Sequence, residues 1–335
     1  MKNILNQLFQ HQTLEKESAR QVLIKLANGE YNASQMAAFL TVFQLRNITL
    51  EELQGFREAL LELCIPIVLS EFNTVDLCGT GGDQKDTFNI STLASFVVAG
   101  AGEKVVKHGN YGVSSVCGSS NILEYFGYEF TNNQDRLKRE LETAGICFLH
   151  APLFNPAMKN IAPVRRELSV KTFFNMLGPM VNPSSPKNQL VGVFNLELAR
   201  MYNYIYQKSG VSYTVVHSLD GYDEISLTGD FQVLSNHVNS IVSPSEIGFQ
   251  QLAAVELKGG VTIEESAGIF IHILKGEGTT AQNNAVIANA AFALNTIYPN
   301  KSIKECIEKA RYSLESREAL KSFQNLVKVK EFSSL

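Results

Sequence analysis

Three glycines within four positions, Gly79, Gly81 and Gly82, follow a short apolar run in VDLCGTGGDQKDTFNIST (75–92), and Asp83, Asn89, Ser91 and Thr92 come after them. Bare backbone lets an anion approach main-chain amides, and the amides that open a following helix point at it. The chemistry on offer is phosphate binding. Two familiar versions do not fit: no lysine adjoins these glycines as a Walker loop requires, and Gln84 stands where a dinucleotide loop starting at Gly79 needs glycine. The plainer readings are a tight turn using glycine at positive φ and N-capping by Asn89, Ser91 or Thr92.

A second stretch, KHGNYGVSSVCGSS (107–120), repeats the pattern. Lys107 and His108 leave a strand, Gly109, Gly112 and Gly118 open the backbone, and Ser114, Ser115, Ser119 and Ser120 add hydroxyls. Two such loops at the same ends of neighbouring parallel strands face each other across a crevice, which suits a ligand with more than one phosphate. Asp220-Gly221-Tyr222-Asp223-Glu224 alone reads as a solvated acidic turn. Beside two phosphate loops its carboxylates suit Mg2+, which takes few protein ligands and keeps water and phosphate oxygens. Arg165 and Arg166 match a carboxylate bidentately, or else form a surface pair with Glu167.

These residues need strands to carry them. TVDLCG, KVVKHG, ICFLHAP, QLVGVF and SYTVVHS are bounded by turn chemistry and alternate with the helical stretches STLASFVVAGAG, NILEYFG, LKRELETAG and LARMYNYIYQKSG. Such alternation predicts an α/β domain with a largely parallel sheet. The segment after Asp220 predicts an antiparallel excursion and so a mixed sheet, and helices return from about 279. Residues 1 to about 70 read as helices, with a capping box at Thr49 and Glu52 and a weaker copy at Asn32 and Gln35. The expected division is a helical domain over 1–70 and an α/β domain over 71–335.

Composition narrows the classes. A chain of 335 residues suggests about two domains, and a net charge of −4 offers no basic field for nucleic acid or an anionic membrane. The apolar runs fall short of the ~20 residues that span a bilayer. MKNILNQLFQHQ lacks the apolar core of a signal peptide, so a cytoplasmic protein is expected. Cys64, Cys78, Cys117, Cys147 and Cys306 form no CxxC pair and read as small buried hydrophobes.

Taken together, GTGGD-x3-TFNIST, KHGN, NPAMKNIAPVRRELSVKTFFNMLGPMVNP and GYDEISLTG resemble the anthranilate phosphoribosyltransferase family over essentially the whole chain. The resemblance implies transfer of phosphoribose from phosphoribosyl pyrophosphate to anthranilate with Mg2+, two ions per subunit. It implies the nucleoside phosphorylase/phosphoribosyltransferase type of fold, in a homodimer formed through helical domains with part of 160–182 packed on them. Carried over by motif, the donor would meet Gly79, Gly82, Asp83, Thr87, Asn89, Ile90, Ser91 and Thr92 on one side. On the other it would meet Lys107, His108, Gly109, Asn110, Tyr111, Gly112, Val113, Ser114, Ser115 and Ser119. Ser91, Asp223 and Glu224 would hold metal. Gly79, Asn110 and Arg165 would meet anthranilate, and Lys107, His108 and Arg165 would serve catalysis, His108 by positioning. Tyr111 and Val116 stand where the family carries basic residues, and Cys117 where it more often carries serine. The alternatives are a pyrimidine nucleoside phosphorylase, whose Lys-Ser/Thr-Gly-Arg-Gly signature is absent, and a non-catalytic paralogue that binds nucleic acid, which the acidic balance disfavours.

Overall fold

The computed structural model describes residues 1–112 and 116–329. The chain runs α1 (Lys2–Phe9), α2 (Lys16–Ala27), α3 (Ala33–Leu45), α4 (Leu50–Leu63), β1 (Thr74–Gly79), α5 (Ile90–Gly100), β2 (Lys104–Gly109), α6 (Ser119–Tyr125), α7 (Gln134–Ala144) and β3 (Ile146–His150). It continues through α8 (Ala151–Phe154), α9 (Ala162–Leu168), β4 (Asn188–Gly192), α10 (Leu196–Gln207), β5 (Ser212–Ser218), β6 (Phe231–Ser235), β7 (Asn239–Val242), α11 (Ile263–Leu274), α12 (Thr280–Ile297), α13 (Ile303–Glu315) and α14 (Glu318–Lys328).

Met1–Pro66 and Ala151–Pro183 form one unit, Ile67–His150 and Ser184 onward the other. The first is helical. Thr49 Oγ1 accepts the Glu52 N–H at 3.3 Å and the Glu52 carboxylate accepts the Thr49 N–H at 2.9 Å, so two orphan amides are satisfied as α4 starts. Aromatic packing explains why 151–183 joins these helices. The Phe173 ring stacks on Phe56 at 4.3 Å and meets Phe39 and Phe43 edge-on. Asn160 Nδ2 donates to the Ala27 carbonyl at 2.7 Å and Arg57 Nε to that of Met180 at 3.2 Å.

The second unit is built on one seven-stranded sheet of order β3-β2-β1-β4-β5-β6-β7. Strands β1 to β5 are parallel; β6 and β7 run antiparallel, the excursion expected after Asp220. Strands β1, β3 and β4 are buried along most or all of their length, as helix-covered parallel strands must be. Connections leave β1 toward β2 on one side while β4 lies on its other side, so the strand order reverses there. Crevices outside the carboxyl ends at such a reversal are where α/β sheets bind ligands. Helix α11 is an element the pattern reading did not assign: its β-branched run GIFIHIL is helical because Thr262 caps it, accepting the Glu265 N–H at 3.2 Å.

Helix α7 carries a buried ion pair that makes a pH prediction. Glu140 accepts from Arg136 Nε at 3.1 Å and from the Tyr128 hydroxyl at 2.8 Å, yet burial pushes its carboxyl up to about 7. A carboxyl raised in the folded state contributes stability that is present at low pH and lost as pH rises through the folded value. Against an ordinary 4.5 the loss totals roughly 3 kcal/mol. Glu140→Gln, a permanently neutral isostere, is expected to flatten the fall in thermal midpoint between pH 5 and pH 8. Parallel melting curves for the two proteins across that range would count against this role for Glu140.

Candidate active site

The site lies at the carboxyl ends of β1, β2 and β4. Gly79 and Gly192 are register partners across β1 and β4. A Cβ on either would collide with Asp223, on its carboxylate at Gly79 and on its backbone at Gly192. Asp223 is therefore buried against bare backbone, and its Oδ2 accepts the Gly81 N–H at 2.6 Å. Gly81 and Gly82 hold φ of +67° and +78°, so this loop needs glycine for conformation as well as for room. Part of what the sequence suggested as space for an anionic ligand is space for a carboxylate of the same chain.

The segment bearing Asp223 and Glu224 is fixed from behind. Ser218 Oγ donates to the Glu224 carbonyl at 2.7 Å and accepts the Ser226 N–H at 3.2 Å. Asn289 of α12 accepts the Ile225 N–H at 3.1 Å and donates to the Ile225 carbonyl at 2.9 Å, both ends of one residue held by one amide. Tyr222, Asp223 and Ile225 are buried, so the solvated acidic turn is excluded. Asn289, Gly192 and Ser218 are positioning residues that motif reading missed. The one available signal for Asn289 was a lone amide in an otherwise apolar helical run, and Gly192 carried none.

Electrostatically the site holds more negative than positive charge, with Lys107 set against Asp83, Asp223 and Glu224. Burial, with repulsion from Glu224 and Asp83, pushes the Asp223 carboxyl well above its ordinary range. Burial also raises Glu224, with Lys107 and the N–H and hydroxyl of Ser91 opposing the rise. Asp83 Oδ1 accepts the Lys85 N–H at 3.2 Å, while its Oδ2 is buried with no hydrogen-bond donor among the described residues. Lys107 is 2% exposed, and its Nζ donates to the Leu77 carbonyl at 2.7 Å and to Ser91 Oγ at 3.4 Å. Among the described residues no three His, Cys, Asp or Glu side chains close a metal cage. Crowded carboxylates, an orphaned oxygen and a hydroxyl fit Mg2+, which takes one or two carboxylates and completes its shell with water and phosphate.

The remaining expected residues, apart from Arg165 of the helical unit and three outside the described residues, lie at the end of β2 and on the loops and helix starts that follow β1 and β2. Asn89 opens α5 but its side chain does not cap it; Nδ2 donates instead to the Cys117 carbonyl at 3.0 Å, tying the two glycine loops together. Capping is thus not what Asn89 is for. Ile90 and Thr92 are buried at the first turn of α5, and Thr87 bridges to Lys258. His108 is buried at the end of β2, its N–H on Asp76 Oδ1 at 3.2 Å. Gly109 closes β2, with Ser119 Oγ packed where a Cβ would stand. The Asn110 carbonyl accepts from Ser120 N–H at 3.1 Å and Ser119 Oγ at 3.3 Å, and Gly112 N–H donates to Asn121 Oδ1 at 3.0 Å. The Tyr111 hydroxyl donates to Glu124 at 3.2 Å and its ring meets His150 edge-on at 5.0 Å. Val113, Ser114 and Ser115 lie outside the described residues. Arg165 belongs to the helical unit, its guanidinium over the Phe174 ring at 5.0 Å and 3.4 Å from Asn175 Oδ1. The five cysteines are free, and burial pushes the Cys78 thiol far up, which rules it out as a nucleophile at neutral pH.

A helical unit and a second unit built on a sheet of this order, with a glycine-walled acidic site at the strand reversal, define a two-domain glycosyl transferase. A family model for the a/b domain of that class matches residues 71–320, and one for its helical bundle domain matches residues 2–64. The chain is 61% identical over 326 residues to the anthranilate phosphoribosyltransferase of Flavobacterium johnsoniae, covering 97% of this chain and 98% of that one. With the enzyme of the same name from Bacteroides fragilis the identity is 55% over 97% and 99%. The crystal structure of the Thermus thermophilus anthranilate phosphoribosyltransferase superposes with a TM-score of 0.89 at 34% identity, over 96% of this chain and 98% of that one. The fold is shared too by the Saccharomyces cerevisiae enzyme in complex with PRPP and Mg, at a TM-score of 0.89 and 24% identity over 97% and 96%. The chain belongs to the anthranilate phosphoribosyltransferase family.

Proposed function

We infer that the chain transfers the phosphoribosyl group of phosphoribosyl pyrophosphate to the amino group of anthranilate, giving N-(5-phosphoribosyl)anthranilate and pyrophosphate in tryptophan biosynthesis. It is an enzyme of the glycosyl transferase class. The observation that carries the reading is the bond from Gly81 N–H to Asp223, which joins the acidic pair to the glycine loop. A diphosphate at that loop brings the charge the carboxylates need a metal to share. Mg2+ is the expected ion, two per subunit, held by Ser91, Asp223 and Glu224; the yeast enzyme's complex with PRPP and Mg supports the choice of metal.

Departure of pyrophosphate leaves an oxocarbenium-like ribose. When bound, Mg2+ supplies neutralisation of the leaving group. Lys107 adds a buried positive charge, and the amides of Gly82 and Asp83 and of the α5 start hold the phosphates, with Thr87, Asn89 and Thr92 lining the same face. The loop from His108 to Gly112, continuing to Ser119, closes the other side. Preorganised donors of this kind act without reorganising as charge develops. The aniline nitrogen is already nucleophilic, so no strong base is demanded, and His108 serves by position.

Arg165 receives the anthranilate carboxylate, with Gly79 and Asn110 beside the ring. Among the described residues its guanidinium has no carboxylate partner, and burial lowers its pKa, a cost that an anionic ligand would offset. A homodimer formed through the helical unit and a cytoplasmic setting complete the reading; among the described residues no helix is long and apolar enough to cross a membrane.

The test is loss of anthranilate fluorescence when the chain is mixed with Mg2+ and saturating phosphoribosyl pyrophosphate; unchanged fluorescence sinks the assignment. Arg165→Ala is expected to raise the Michaelis constant for anthranilate by roughly 10 to 100-fold, the worth of a charged hydrogen-bonded pair, and that for the donor by far less. Equal effects on both substrates would remove Arg165 from the carboxylate.

A further inference from the structure

Lys85 lies two residues beyond Asp83, and nothing above gives it a role. The turn that carries it is strained. Gln84 and Asp86, on either side, hold φ of +63° and +50°, a left-handed backbone that residues with a Cβ adopt at a cost. The effect is to lay the Lys85 side chain over the neighbouring loop, with Nζ 4.7 Å from the centroid of the Tyr222 ring and close to Gly221. Asp83 and Asp86 flank Lys85 in the chain and Asp220 and Asp223 flank Tyr222, yet among the described residues the ammonium pairs with none of them.

Positive charge is scarce in this site. The stretches 79–92 and 107–120 contain two basic residues apart from His108, Lys85 and Lys107. Lys107 is committed to the Leu77 carbonyl and Ser91. Lys85 is half-buried and held by a ring face, and that hold is weaker than a charge-assisted hydrogen bond to a phosphate oxygen. A cation placed beside the site on the weaker of two contacts will move to the stronger when it arrives.

We propose that Lys85 is a donor-binding residue, whose ammonium leaves Tyr222 to hold a phosphate oxygen of phosphoribosyl pyrophosphate. The proposal rests on the function inferred above and adds to it the cation that Tyr111 and Val116, both uncharged, do not supply from the opposite loop.

The decisive measurement is calorimetric titration of the full chain with inorganic pyrophosphate in Mg2+, alongside donor and anthranilate kinetics. Lys85→Gln is expected to weaken pyrophosphate about tenfold, about 1.4 kcal/mol, and to raise the donor Michaelis constant similarly. The anthranilate constant should stay within about twofold, and Lys85→Arg should restore most of the loss. Wild-type pyrophosphate affinity in Lys85→Gln, or equal damage to both substrates, overturns the proposal. A chain that binds pyrophosphate but leaves anthranilate untouched refutes the proposed reaction, while the ratio of Lys85→Gln to wild type still decides the role of Lys85. Absence of pyrophosphate binding by the wild-type chain refutes the role outright.

Discussion

Replacing Asp223 with Asn and Glu224 with Gln is expected to remove turnover while leaving the fold intact or firmer. Asp223 is buried and Glu224 half-buried, both crowded by Asp83, and desolvation and repulsion raise both carboxyls above their ordinary range. In the metal-free protein their ionised forms are thus a burden on stability, and neutral amides of nearly the same shape relieve it. Asn at 223 can still accept the Gly81 N–H through its carbonyl oxygen, so the loop keeps its anchor. What the double variant lacks is charge for a cation. Metal assistance of this kind is worth several kcal/mol at the transition state, which is on the order of 10³-fold in rate. Turnover should fall by about that factor, excess Mg2+ should recover little of it, and Mg2+ should no longer raise the thermal midpoint. A variant that melts no lower than wild type yet is inactive separates metal binding from a structural role. Retained Mg2+ stabilisation in the double variant would take these residues out of the metal site.

How much of this was readable beforehand follows the range of the interactions involved. The strands ending in Gly79 and Gly109 and the helices after them are written in local apolar runs and turn residues, and the structure has them nearly where the letters put them. The capping box at Thr49 is equally local, its partners three residues apart. The acidic pair was legible as chemistry, but its burial was not, because the bond from Gly81 to Asp223 spans 142 residues and that from Asn289 to Ile225 spans 64. Gly192 sat inside the expected strand QLVGVF with nothing to mark it, whereas β4 ends there. The assignment of Ala151–Pro183 to the helical unit likewise depends on Phe173 meeting Phe56, a contact no pattern of spacing announces. Local preference can place the loops; only packing reveals that one glycine faces a ligand and another a neighbouring carboxylate.

That distinction is sharpest at Gly192, where alanine is expected to destroy the site by displacement alone. Gly192 is not in a left-handed conformation, so alanine fits its backbone and brings no strand penalty of its own. The added Cβ would nevertheless sit inside contact distance of the Asp223 carbonyl oxygen and 2.6 Å from its carbonyl carbon, both backbone atoms. The loop cannot retreat freely. Ser218 holds the Glu224 carbonyl, Asn289 holds both ends of Ile225, and Tyr222 and Ile225 are packed in the core. Either those bonds break or the end of β4 shifts between its neighbours, at about 1–3 kcal/mol for overpacking and more if a buried polar group is left bare. Gly192→Ala should therefore lose roughly 3 kcal/mol. Its Mg2+ activation should weaken together with turnover, because Asp223 moves while keeping its carboxyl group. Gly229→Ala is the control: no atom stands within 4 Å of its Cβ, and its stability should change by no more than about 0.5 kcal/mol. If Gly192→Ala matches the control in melting point and Mg2+ dependence, then Asp223 is not held by the bare strand end, and the glycine at 192 has another cause.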